Sequence, residues 1–314
     1  MSFRMHRIWW LLLAVAVVLS ACSKVDKSSD KSLPREFASP DDAGNALMEA
    51  AKSGDQNAVL AIFGADAKEL IYSGDATQDN NSRNAFVTAY GTMHRWRKLT
   101  NGEQALLVGA DNFSFPIPLK KSQDGRWYFD AAAGKEEILN RRIGRNELAA
   151  IDACVAVTEA QAEYRSQPHD GENTRQYALK FISDAGKHNG LYWESPEGEP
   201  KSPLGPLAAA ASAEGYGVKQ NKSPTPFHGY DFRILTKQGG NAAGGAKDYI
   251  INGRMVGGFA LVAYPAEYGN SGVMTFITNQ DGVLYQKDLG KDTSKIATEM
   301  TEFNPDRSWQ QVEE

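Results

Sequence analysis

The residue types that could do chemistry are few and scattered. Beyond residue 22 the histidines are His94, His169, His188 and His228, and no two stand at a spacing that sets metal ligands together on one helix or hairpin. No metal site is therefore expected. His94 sits beside Arg95, Arg97 and Lys98 and reads as a surface base. Gly239-Gly240 and Gly244-Gly245 lack the Lys-Ser/Thr of a phosphate-binding loop and read as a hairpin crest, so no cofactor is expected. Asp75 and Asp79 lie in the Ser73-Gly74-Asp75 loop and read as a polar turn, with part of a site as the alternative. A denser group comprises His188, Tyr192, Trp193 and Glu194, followed by a proline-rich stretch and then His228 and Tyr230. Aromatic rings beside polar groups suit a contact surface for proteins or sugars; the alternative is that these rings fill a gap between loop and sheet. Arg141, Arg142 and Arg145 make a basic spot, read as bridging to nearby acids, with an anionic partner as the other reading. No catalytic residue is assigned.

Cys22 carries the most specific chemistry. Arg4 and Arg7 precede an apolar run from Ile8 to Leu19, the layout of an export signal. The run is shorter than the roughly twenty residues a helix needs to cross a hydrocarbon core. Leu19-Ser20-Ala21-Cys22 then resembles the lipobox of bacterial lipoproteins, which implies cleavage after residue 21 and acylation of Cys22. Two or three acyl chains give stable attachment without a protein span. Ser23, in place of an aspartate, points by analogy to the outer membrane with the chain facing the periplasm, the inner membrane being the alternative. The expected partners are the bilayer, through acylated Cys22, and an envelope protein. Removing Arg4 and Arg7 leaves 32 basic against 39 acidic residues, a balance that argues against nucleic acid. Cys154 then stands alone, so no internal disulfide forms, and a thiol in an oxidising compartment is best buried.

The elements that would position these residues fall into an α+β pattern. Residues 1–21 are the signal, and 22–36 a lipidated cysteine and polar tether. The first folded region, 37–143, opens with Ser39-Pro40-Asp41-Asp42 as a helix start. Ala43, Leu47, Ala50 and Ala51 share one face; a second helix ends at Gly64; Phe86, Ala89, Tyr90, Met93 and Trp96 mark a third. Short apolar runs at 105–108, 113–119 and 127–130, with Asp124-Gly125 between the last two, predict an antiparallel sheet. Pro116 and Pro118 should make their strand an edge or irregular. Helices followed by a small sheet loosely resemble cystatin-like or nuclear-transport-factor-like domains.

The second region, 144–314, is expected to begin with a long helix near Gly144 capped by Asn146, its apolar stripe being Leu148, Ile151, Val155, Thr158 and Ala162 with Cys154 beside it. A short helix at 177–182, an irregular loop, and strands at 230–235, 258–264, 273–278 and 283–286 complete it. Gly229-Tyr230-Asp231-Phe232, Phe259 to Pro265, and Asp281-Gly282-Val283 behind the helix ending Ala160-Gln161-Ala162-Glu163-Tyr164 resemble the heads of type IV pilins and pseudopilins, without the apolar stalk. Over 37–314 the chain resembles an uncharacterised bacterial family, domain of unknown function number 2950. The resemblance is carried by Ile143 to Glu147, Gly190-Leu191-Tyr192-Trp193, Ser202 to Pro206, Gly257 to Ala263 and Tyr285 to Gly290. It implies a secreted or lipid-anchored protein with no established activity. The expected role is non-catalytic binding or envelope assembly; the alternative is a periplasmic hydrolase whose acid/base groups, an Asp or Glu with His188 or His228, converge only in three dimensions.

Overall fold

A computed structural model describes residues 33–196, 198–199, 201–217 and 226–313. Cys22 and the apolar run at 8–19 lie outside these residues. Among the described residues no helix is long and apolar enough to cross a membrane.

The first elements form as their sequence predicts. Ser39 accepts the Asp42 N–H at 3.1 Å and starts α1 (Pro40–Ser53), which buries Ala43, Leu47, Ala50 and Ala51. Asp55 caps α2 (Gln56–Phe63), and a turn of α3 (Lys68–Ile71) leads to α4 (Ala76–Thr92), capped by Asp75. The chain docks earlier than the expected tether end: the Arg35 N–H bonds Ala61 and Ile62 carbonyls, and Phe37 pairs with Trp127.

The third helix stops short of Trp96. Met93 turns extended, His94 stacks on Tyr90 at 3.9 Å, and Trp96 lies in β1 (His94–Lys98). β1 pairs antiparallel with β2 (Gln104–Val108), which also pairs with β3 (Phe113–Ser114) and β4 (Leu119–Lys121), and β5 (Trp127–Phe129) closes the sheet. Pro116 and Pro118 occupy the irregular link between β3 and β4, where no ladder needs their missing N–H. Phe63, Phe86, Phe115 and Phe129 meet ring to ring between this sheet and the helices, at centroid distances of 5.3–6.4 Å. The two buried rings, Phe63 and Phe129, each contribute about 1.5–3 kcal/mol, and half-buried Phe86 and Phe115 less.

The long helix does not start at Gly144. α5 (Ala131–Arg165) is continuous for 35 residues and is capped by Asp130, so the boundary expected at 143/144 falls inside it. Asn146 is wholly buried mid-helix and caps nothing. The expected apolar stripe is also rotated: Ala150, Ala153, Cys154, Val157, Ala160 and Tyr164 face inward, while Leu148 and Val155 are 64% and 50% exposed. Small residues win the inner face because they let the helix axis approach the sheet closely.

Residues 177–182 form no helix; the Tyr177 N–H bonds Met255 O, and the chain runs extended beside Tyr192. A short α6 (Gly205–Ala213) follows in the stretch expected to be loop. The second large sheet contains β6 (Tyr230–Leu235), and after it come β7 (Lys237–Gln238) and β8 (Lys247–Asp248), which pair across the Gly239–Gly245 crest. A hairpin of β9 (Ile250–Ile251) and β10 (Arg254–Met255) precedes β11 (Ala260–Pro265), β12 (Met274–Asn279) and β13 (Tyr285–Asp288). Then α7 (Thr293–Glu299), β14 (Glu302–Phe303) and β15 (Gln310–Gln311) end the chain, unforeseen in the sequence. The sheet order is β15-β13-β12-β11-β6, antiparallel throughout. All of β11 is buried: Leu261 and Ala263 pack under α5, and Ala260, Val262 and Tyr264 face the side covered by Ala297 and Phe303. The fold is therefore α+β, with the described residues gathered in one compact unit.

Candidate functional site

Five chain segments converge on a buried polar junction beside α5. Asp75, 2% exposed, uses one carboxylate oxygen to cap α4 at Gln78 N, 3.0 Å, and the other to accept the Tyr216 hydroxyl at 2.6 Å. The Gln78 amide donates to Asn146 Oδ1 at 2.7 Å, and Asn146 Nδ2 donates to Ser271 O at 2.8 Å. Gly229 passes so close that a Cβ there would lie 2.7 Å from Asn146 Nδ2, and its φ of 72° already favours glycine.

One turn before Asn146, Arg142 projects from α5 and is 5% exposed. Its guanidinium donates to Leu70 O at 2.5 Å, to Glu69 O and to the Asn270 side chain, and Asn270 in turn donates to Glu267 at 2.7 Å. Burial lowers the Arg142 pKa, and nearby Asp79 and Glu267 oppose that shift. Burial likewise raises the carboxyl pKa of Asp79, against the hydrogen bonds from Ser73 and the attraction of Arg142. Burial first, and then the bond to Asp75, raise the Tyr216 phenol pKa. In the basic spot Arg141 bridges to an acid, Glu137 at 2.6 Å, whereas Arg142 bonds the Glu69 and Leu70 carbonyls and Asn270, and Arg145 is exposed.

The segments Arg142 holds form one wall of a cleft of about 740 Å³. Phe63, Leu70, Phe129 and Leu139 supply apolar lining; Glu69, Lys135, Glu267 and Asn270 supply polar groups. A concave, mostly apolar lining with a few placed polar groups, in this volume range, is the usual make-up of a ligand site. The lining contains no histidine.

The residues proposed from sequence as one contact surface separate into two places and a core position. Tyr230 is wholly buried and donates its hydroxyl to Met274 O at 2.8 Å, so it offers no surface. His188 and Trp193 stay together, ring centroids 4.6 Å apart, with His169 on the other edge of the indole at 5.8 Å. His188 is half exposed and its Nδ1 lies 3.2 Å from Asp170; Glu194 is exposed and Tyr192 half-buried in pairing with Phe181 and Ser183. Beneath them Tyr164 stacks on His169 and donates to His188 O at 2.7 Å, its phenol pKa pushed up to about 12 by burial. The rings pack between the loop and α5, where the sequence reading offered a gap between loop and sheet, and the His188 and Glu194 side chains are exposed.

His228 lies elsewhere, against Tyr216 and Phe227, with Nε2 3.0 Å from Glu214 and a buried Nδ1 without a protein partner. Cys154 is buried, which raises its thiol pKa. His94 is held by Tyr90, and among the described residues no three His, Cys, Asp or Glu side chains gather to hold a metal ion. Gln78, Asn146, Asn270 and Tyr216 were not singled out from sequence as site residues. Mid-helix polar residues on a face otherwise made of alanine were the available signal.

The chain belongs to the family described as protein of unknown function (DUF2950), whose match covers residues 34–312. No curated protein and no solved structure matches it. The pilin-head and cystatin-like or nuclear-transport-factor-like likenesses accordingly remain sequence-level expectations.

Proposed function

We propose that the protein is a lipid-anchored envelope component that binds a partner in the cleft beside α5 and performs no chemistry on it. Attachment through acylated Cys22 is supported by the lipobox-like Leu19-Ser20-Ala21-Cys22 behind its short apolar run, and the outer membrane, with the inner as alternative, by Ser23 in place of an aspartate. Mass spectrometry of the N-terminal peptide should find acyl chains on Cys22. The observation that carries the binding role is the cleft itself, about 740 Å³ with an apolar floor and a wall braced by a buried arginine. Fixed walls lower the cost of binding because little has to be ordered on contact. A photo-crosslinking residue replacing Leu139 in the full-length, membrane-attached chain should trap a discrete adduct in envelope preparations, and one replacing exposed Gln123 should not. Equal yields at both positions would defeat the proposal.

A second reading is favoured by one contact. His228 within 3.0 Å of Glu214, its other nitrogen buried, is the pairing a general base requires. Under that reading the purified chain hydrolyses one of a panel of chromogenic ester, glycoside, phosphate or peptide substrates, and His228→Ala abolishes turnover while leaving the crosslink at position 139 intact.

A further inference from the structure

We propose that the outward face of α5 between Arg145 and Ala162 pairs with the same face of a second copy, as a short antiparallel pair of helices. This is independent of the cleft. At 3.6 residues per turn, Leu148 lies roughly 200° and Val155 roughly 180° around the axis from the buried Asn146, so both point directly away from the sheet. Leu148 is 64% exposed, Val155 50%, and Ala162 is exposed; Ile151 and Thr158 are half-buried beside them. The helix thus keeps mostly small residues, with Val157 and Tyr164, on its inner face and turns Leu148 and Val155 to water. A helix that is apolar on two opposite faces has a second surface to cover.

The spacing indicates what covers it. Positions 148, 155 and 162 recur at seven, with 151 and 158 three residues after the first two: the a and d positions of a heptad, which seat another helix. The charges favour the chain's own copy. The three exposed residues following the seam on one flank are Arg145, Asp152 and Glu159. In an antiparallel pair that sets Ile151 against the partner's Val155, and Leu148 against the partner's Thr158, Arg145 faces the partner's Glu159. The two-fold symmetry repeats each of these contacts. Asp152 meets the partner's Asp152 near the axis, one repulsion against two attractions. The other flank is closed, since Cys154 and Gln161 are buried and Glu147 accepts the Val273 and Met274 N–H groups. So short a seam covers less than the about 800 Å² per partner of a standard interface, which makes the association weak and concentration-dependent.

The test uses the full-length chain in detergent, followed by sedimentation velocity over a concentration series. A monomer–dimer equilibrium is expected, weakened at least about tenfold by Val155→Glu, a cost of about 1.4 kcal/mol. Because residue 155 is exposed, thermal unfolding of this variant should match the wild type. Arg145→Glu and Glu159→Arg should each weaken the dimer and together restore it, whereas Asp152→Asn should strengthen it. Asp152→Cys should form a symmetric disulfide under mild oxidation, with the wild-type chain forming none. A chain monomeric at every concentration, or a Leu148→Cys variant that crosslinks while Asp152→Cys does not, would overturn the proposal. So would a monomeric chain whose fluorophore at Val155→Cys shifts to an apolar environment on phosphatidylcholine vesicles, which assigns the face to lipid instead.

Discussion

The junction around Asn146 and the ring cluster around Trp193 both gather polar and aromatic residues from distant segments, yet they spend them differently. At the junction the polar atoms are turned on one another: Gln78 to Asn146, Asn146 to Ser271, Arg142 to Leu70 and Asn270. At the ring cluster Tyr164 is buried and bonded to His188 O, and His169 bonds Tyr164 O, while the His188 and Glu194 side chains are exposed. A buried donor without its acceptor loses solvation and gains nothing, so the junction is a device for holding five segments together. The ring cluster can lose its outer members cheaply and is correspondingly free to contact something else. The cleft draws on the first device, since the groups Arg142 holds are its wall.

Substitutions sharpen this contrast, and the largest effect belongs to Arg142. Arg142→Ala removes the donors to Leu70 and Asn270 and leaves Asp79 and Glu267 without their cation; a loss of about 3–5 kcal/mol in urea unfolding is expected. A loss below about 1 kcal/mol would mean that the junction does not hold the segments. Gly229→Ala should follow at about 1–3 kcal/mol, because its Cβ collides with Asn146 and Ser271. Asn146→Ala should cost about 1–3 kcal/mol by stranding the Gln78 amide.

Asp79 supplies a pH test. Its carboxyl pKa is raised in the folded chain, chiefly by burial, so the folded state holds this proton more tightly than the unfolded one. The associated stabilisation is fully present below the ordinary value of 3.8 and is lost as pH rises through the folded value. Wild type should therefore lose stability relative to Asp79→Asn across that acidic window and keep a constant difference at neutral pH. A difference that moves the other way would show that Arg142, not burial, dominates there. The smallest effects belong to the ring cluster: His188→Ala and Glu194→Ala should each stay within about 0.5 kcal/mol of wild type. A larger loss would place that cluster with the junction and end the contrast.

Much of the architecture was legible because it depends on local signals. Ser39-Pro40, Gly64 and Asp124-Gly125 each mark an element end by the backbone geometry they permit, and all three do so in the structure. The four longer strands from Tyr230 onward, β6, β11, β12 and β13, declare themselves as runs between turns, whereas the two-residue strands do not. The misses share a cause. Met93 to Trp96 continue a helical period, but pairing with β2 outweighs it. Residues 177–182 carry a helical pattern that the backbone bond to Met255 O overrides. Leu148, Val155 and Ala162 make a better apolar stripe than Ala150, Ala153 and Val157, and period alone points the helix the wrong way round.

What the sequence determined by itself is where elements begin and turn, and the α+β class, since these rest on residues near one another in the chain. Which face of α5 meets the sheet, that Asn146 ties three segments instead of capping one, and that His228 parts from His188 to lie against Glu214 were decided only by the tertiary structure. Each depends on contacts between residues scores of positions apart, and the free energy of such a contact resides in the pair, not in either residue's local pattern.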